Sequence, residues 1–173
     1  MENALSVIKF ALSMEKEGEE FFARAAQQVK NEEAKQMFLE LSQWEKTHQE
    51  FLQKHYDSIV ASGKWDQNLD ISLYNKESMK WNTFYRRSSG QGLEPAGMLT
   101  EETSDMTALR LALFIEIDLY TFYQNAAKNT SDPEGKKIFE MLADWELCHR
   151  KIIESHYEET KQILWSNMGF APF

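Results

Sequence analysis

Apolar residues recur along this chain in steps of three and four, the period of an α-helix buried on one side. One stripe runs Ile8, Leu12, Glu15, Phe22, Ala26, and a second runs Phe38, Leu41, Glu45, His48, Leu52. A third runs Leu109, Leu113, Glu116, Tyr120, Tyr123, Ala127, and a fourth runs Phe139, Leu142, Glu146, His149, Ile153. The pattern predicts four long helices. Asn3 and Ser104 stand where the first and third would be capped, and Asn31 and Asp132 where the second and fourth would begin. Pro133, directly after Asp132, suits a first helical position. The breaks within each pair are a few residues long, so each pair must fold back as an antiparallel hairpin.

The two pairs are copies of one unit. Shifted by about 101 residues, the chain matches itself without gaps over roughly 54 positions, about 15 of them identical. Phe21-Phe22 falls on Phe122-Tyr123, Ala25-Ala26 on Ala126-Ala127, and Trp44, Glu45 and His48 on Trp145, Glu146 and His149. All four histidines fall into repeat-related pairs, His48 with His149 and His55 with His156. The expected architecture is all-α: one domain over residues 1–173, a four-helix bundle of two repeated hairpins joined by a long crossover. Hairpin 1 covers about 3–62, the crossover about 63–102, hairpin 2 about 103–166, and a tail 167–173. The stretch from Gly63 to Met98 is richer in glycine, serine and asparagine yet holds Trp65, Tyr74, Trp81, Phe84 and Tyr85. A connection returning along helices of about 27 residues has about 40 Å to cover, which explains its length. A short helix is expected at 75–87, and the aromatic residues are expected to pack on something such as a second subunit.

Composition narrows the function classes. A length of 173 residues suits a single core, and three prolines and seven glycines leave long helices uninterrupted. A net charge of −9 argues against a nucleic-acid partner. No run of eighteen apolar residues suggests a membrane span, and Met1-Glu2-Asn3 does not open a signal peptide, so a cytoplasmic location is expected. Cys148 is the one cysteine, which leaves no internal disulfide and no Cys-x-x-Cys motif.

The stripes carry an anomaly. Each places a glutamate at mid-helix where leucine belongs, and two add a histidine three residues on, on the same side of the helix. Glu45 with His48, and Glu146 with His149, could each bind a cation from one face, with Glu15 and Glu116 facing them. Four buried carboxylates repel one another and are costly to desolvate, and no lysine or arginine lies on the seam nearby. Two divalent cations would balance the charge. A lone Glu-x-x-His is usually a surface pair; two at one repeat offset, each with a partner glutamate, favour a metal site. Mixed oxygen and nitrogen donors suit iron or manganese, and a thiolate zinc site is excluded by the cysteine count. This is the known donor set of di-iron and di-manganese carboxylate bundles, so the assignment is a pattern match.

Other seam residues have plainer readings. His55 and His156 read as core or helix-end histidines, Trp44 and Trp145 as packing, Glu19 as a solvated residue, and Cys148 as a small core or interface residue. Tyr123 lies two turns past Glu116 and could hydrogen-bond a ligand; its counterpart Phe22 cannot.

Met14-Glu15-Lys16-Glu17-Gly18-Glu19-Glu20-Phe21-Phe22 and Leu41-x-x-Trp44-Glu45-x-x-His48, with their second copies, resemble the rubrerythrin-like branch of the ferritin-like superfamily. The resemblance covers both hairpins. It implies a bundle with a left-handed crossover, a homodimer or larger, and Glu15, Glu45, His48, Glu116, Glu146 and His149 as ligands of two metal ions, iron ahead of manganese. Glu45 and Glu146 would bridge. It further implies an oxidoreductase that reduces hydrogen peroxide or oxidises ferrous iron with dioxygen; a non-catalytic iron-binding module is the alternative. Two departures stand out. The rubredoxin-type cysteines of full rubrerythrins are missing, so a separate electron-donor protein is expected. The further carboxylate those proteins carry beside the third-helix ligand has no counterpart, since Leu113 and Leu119 flank Glu116 at three residues.

Overall fold

Four α-helices make up nearly all of the backbone that the structure, a computed structural model, describes, namely residues 2–70 and 99–169. They are α1 (Glu2–Gln28), α2 (Glu32–Ser62), α3 (Leu99–Asn129) and α4 (Pro133–Asn167). Two of the expected caps are in place. Asn31 has extended backbone and its side chain accepts the N–H of Ala34 at 2.8 Å. Asp132 accepts from Glu134 and Gly135, with Pro133 following it. These bonds satisfy amides that have no partner inside the helix. At its far end α2 stops at Gly63, whose φ of 69° is left-handed and whose N–H bonds to the Ile59 carbonyl.

The caps expected for the other two helices are corrected. Asn3 lies inside α1, which is already helical at Glu2, and Ser104 lies inside α3, which begins at Leu99. The second hairpin therefore starts about four residues before the expected 103. The residue beside Ser104 caps a neighbour instead of its own helix: the buried Asp105 carboxylate accepts the N–H groups of Lys30 (3.2 Å) and Asn31 (3.1 Å) in the α1–α2 turn. It ties the start of α3 to the end of α1.

Helices α1 and α2 pack along their length, as do α3 and α4, with more limited contact of α1 with α3 and of α2 with α4 across the hairpins. Phe10 near the start of α1 meets Phe122 near the end of α3 (5.4 Å between centroids), so these helices are antiparallel. Trp65, just past α2, meets Phe139 near the start of α4 (5.7 Å), so those two are antiparallel as well. α2 thus ends at the opposite end of the bundle from the start of α3, which is why so long a connection is needed. The short helix expected at 75–87, and the handedness of the crossover, fall outside the described residues. No helix among the described residues is long and apolar enough to cross a membrane.

The core lies in two apolar clusters, one around Ile8, Phe51, Leu119, Phe139 and Leu142, the other around Phe22, Phe38, Leu41, Leu109 and Ile153. The buried face is turned slightly from the expected stripe. Ala11 and Ala112 are fully buried, while their neighbours Leu12 and Leu113, and Tyr120, are half-buried. Alanine at these repeat-equivalent positions occupies the inward face with little side-chain volume. Trp65 closes one end of the bundle so tightly that a Cβ on Gly135 would stand 2.7 Å from its ring. Gly135→Ala should therefore destabilise the protein by about 1–2 kcal/mol, overpacking outweighing alanine's better helix propensity. Thermal unfolding monitored by circular dichroism checks it.

Candidate metal centre

Glu15 of α1, Glu45 and His48 of α2, Glu116 of α3, and Glu146 and His149 of α4 meet at the bundle centre, each 0% exposed. The three-residue spacing within α2 and α4 brings each histidine beside its own glutamate, with Nδ1–oxygen distances of 3.4 Å in both copies.

The distances divide the cluster into two halves. His48 Nδ1 lies 3.2 Å from Glu15 Oε2, 3.4 Å from Glu45 Oε2 and 3.1 Å from Glu146 Oε1. His149 Nδ1 lies 3.6 Å from Glu116 Oε1, 3.2 Å from Glu45 Oε1 and 3.4 Å from Glu146 Oε2. Glu45 and Glu146 each turn one oxygen to each half, while Glu15 and Glu116 each serve one. Around an octahedral cation with bonds of about 2.1 Å, neighbouring donor atoms stand about 3.0 Å apart. Each half, with one nitrogen and three oxygens so spaced, fits a cation. Among the described residues, Glu45, His48, Glu146 and His149 offer donor atoms all within 4.8 Å of one another.

The electrostatics point the same way. The six carboxylate oxygens of Glu45, Glu116 and Glu146 are buried with no hydrogen-bond partner among the described residues, an arrangement that natural interiors rarely leave uncompensated. Without a cation, the cluster is balanced by protons. Burial, reinforced by the Glu45 carboxylate, pushes Glu15 up to about 8. Burial likewise pushes Glu116 well above the usual carboxylate range, against the pull of His149. Burial and Glu146 also act to raise Glu45, but its contacts with Glu15, His149 and His48 outweigh them and hold it below its ordinary value. At His149 burial works downward, and Glu116, Glu146 and Glu45 overcome it and hold the imidazole well above its ordinary value. Cations entering such a site displace protons.

The surroundings fix the donors. The four rings Trp44, His149, His48 and Trp145 form one column, with successive centroids 5.1, 5.1 and 4.9 Å apart and planes within 19° of parallel. The tryptophans are packing residues, as expected, and what they pack against is the pair of imidazoles. Tyr123, fully buried, donates its hydroxyl to Glu15 Oε1; burial and then the nearby Glu15 carboxylate push its own ionisation well up, so it keeps that proton. Glu19 stays outside the cluster, half-buried and accepting from Gln49 at 2.7 Å. His55 is a core histidine toward the bundle end whose Nδ1 accepts the Asp66 N–H at 3.2 Å. His156 is also buried, and Cys148 is half-buried. Leu119 packs in the apolar core. The residue that the sequence pattern missed is Asp105; its counterpart is Ala4, and no repeat signal marks it.

Compared with known proteins, the chain matches the family model described as Rubrerythrin over residues 1–56 and 70–162. No curated protein and no solved structure matches it.

Proposed function

The chain belongs to the rubrerythrin family, and from that premise we propose that its buried cluster holds two metal ions, iron ahead of manganese, in an oxidoreductase that reduces hydrogen peroxide, or dioxygen during ferrous-iron oxidation. The observation that supports this most directly is the sharing of Glu45 and Glu146, each with one oxygen toward either histidine. His48 with Glu15 would complete one position, and His149 with Glu116 the other. When bound, such a pair of ions supplies electrons and Lewis acidity at one spot.

The chain's own residues set the conditions. The apolar clusters on both sides keep bulk water from the donors. Tyr123 holds a proton at the edge of the cluster, aimed at Glu15. Peroxide needs two electrons and two protons to become two waters, and with one cysteine in its 173 residues the chain has no Cys-x-x-Cys centre of its own to supply the electrons. They would come from a separate donor protein. Phe10, Leu111, Phe114 and Ile117 remain exposed on α1 and α3, which supports pairing with a second copy of the chain.

A second reading, a module that binds iron without turning over peroxide, is favoured by Leu113 and Leu119, which flank Glu116 at three residues and leave the further carboxylate implied by the family resemblance unassigned. The test is anaerobic ferrous loading followed by metal analysis and peroxide assay with a reductant. About two ions per chain and rapid peroxide loss are expected. Tight metal without peroxide loss would select the second reading, and no metal would remove both.

A further inference from the structure

The halves of the cluster are related by the repeat, and one difference in their surroundings is a single hydroxyl. Tyr123 stacks on Phe139 with centroids 6.4 Å apart and planes at 23°. Its counterpart Phe22 stacks on Phe38, the counterpart of Phe139, at 6.2 Å and 21°. Both rings are fully buried. Tyr123 of α3 reaches Glu15 of α1, and by the repeat Phe22 of α1 is the counterpart of Tyr123 as Glu116 of α3 is of Glu15. Only Tyr123 carries a hydroxyl. Glu15 Oε1 accepts it, whereas both Glu116 oxygens are buried with no hydrogen-bond partner among the described residues.

We infer that this hydroxyl makes the two metal positions unequal, with the Glu15–His48 position the tighter and the Glu116–His149 position the weaker, the one from which metal leaves first. The inference rests on the two-metal reading above. A hydrogen bond from outside fixes the direction of a ligating carboxylate, and losing such a partner typically costs about 10–100-fold in metal affinity. Glu116 lacks that constraint, so its side chain must be ordered when metal arrives. Tyr123 is thus a positioning residue acting through Glu15.

The test is calorimetric titration of metal-free protein with Co(II) at fixed pH. Two binding steps are expected, at least about tenfold apart in Kd. Repulsion between two cations would also separate the steps, so the comparison between variants decides. Tyr123→Phe should weaken the tighter step by about 10–100-fold and spare the other. Phe22→Tyr should tighten the weaker step by a similar factor, since the added hydroxyl would meet Glu116 as Tyr123 meets Glu15. It also keeps the inference testable if Tyr123→Phe folds poorly. Steps unchanged in both variants, or Tyr123→Phe acting on the weaker step, would overturn the inequality while leaving two bound metals. No Co(II) binding in any form would overturn the metal reading itself.

Discussion

Glu45→Ala is expected to empty both metal positions, whereas Glu116→Ala is expected to empty one. The difference follows from where each carboxylate points. Glu45 Oε2 lies 3.4 Å from His48 Nδ1 and Glu45 Oε1 lies 3.2 Å from His149 Nδ1, so its loss strips a donor from each half. Glu116 lies on the His149 side, 3.6 Å from its Nδ1. Bound metal should fall from about two per chain to well below one in Glu45→Ala, and to about one in Glu116→Ala. Glu146→Ala should behave as Glu45→Ala does, because Glu146 also spans both histidines. Elemental analysis of protein purified without chelator reads the outcome, with circular dichroism confirming that each variant is folded. A Glu45→Ala protein that still carries about two metals would refute the bridging arrangement.

The metal-free protein should lose stability as pH rises above about 6.5, and metal should abolish that loss. Glu15 titrates near 8 in the folded protein against an ordinary value of 4.5. The folded state therefore holds more protons than the unfolded one between those values, and stability falls as pH rises through that window. Glu116 and His149, both held above their ordinary values, act in the same direction. The buried His55 and His156 act oppositely. Burial lowers each from 6.5 to about 4, so below 6.5 the unfolded state takes up protons that the folded state refuses. From about pH 4.5 to 6.5 the two effects oppose each other and the profile should be flat. Above that range Glu15, Glu116 and His149 act together and unopposed by His55 and His156. Glu15 by itself should cost about 2 kcal/mol between pH 6.5 and 8, a fall of roughly 4–8 °C in Tm. Thermal unfolding of chelator-treated and metal-loaded protein across this range is the measurement. An unchanged Tm in the chelator-treated protein would show that the cluster is not holding protons.

The repeat made most of this legible before any coordinates. Two hairpins follow from the two short breaks at Asn31 and Asp132, and the six inward residues stand out because carboxylates on an apolar seam break the stripe. What stayed hidden depends on contacts between distant segments. Asp105 looks like a residue near a helix start, and only the approach of α3 to the α1–α2 turn shows that its carboxylate serves Lys30 and Asn31. The ends of α1 and α3 escaped for a related reason: Asn3 and Ser104 have cap chemistry, but a helix continues through such residues when its neighbours hold it. The turn of the buried face toward Ala11 and Ala112 is set by how closely the helices approach, which the three- and four-residue spacing does not specify. The difference between the halves was visible in sequence as Tyr123 against Phe22, and its meaning needed the two ring stacks to be compared.

The column of four rings has a consequence for how a cation would be received. An isolated histidine samples several rotamers, and freezing them on binding subtracts from affinity. Here each imidazole is sandwiched between the other imidazole and a tryptophan, so rotation of either ring is opposed by its neighbours. The ordering entropy of the two nitrogen donors is spent when the chain folds, leaving a preorganised pair that waits for its ion. The cost appears instead in the stability of the empty protein, which must hold these rings and their carboxylates together with nothing but protons between them.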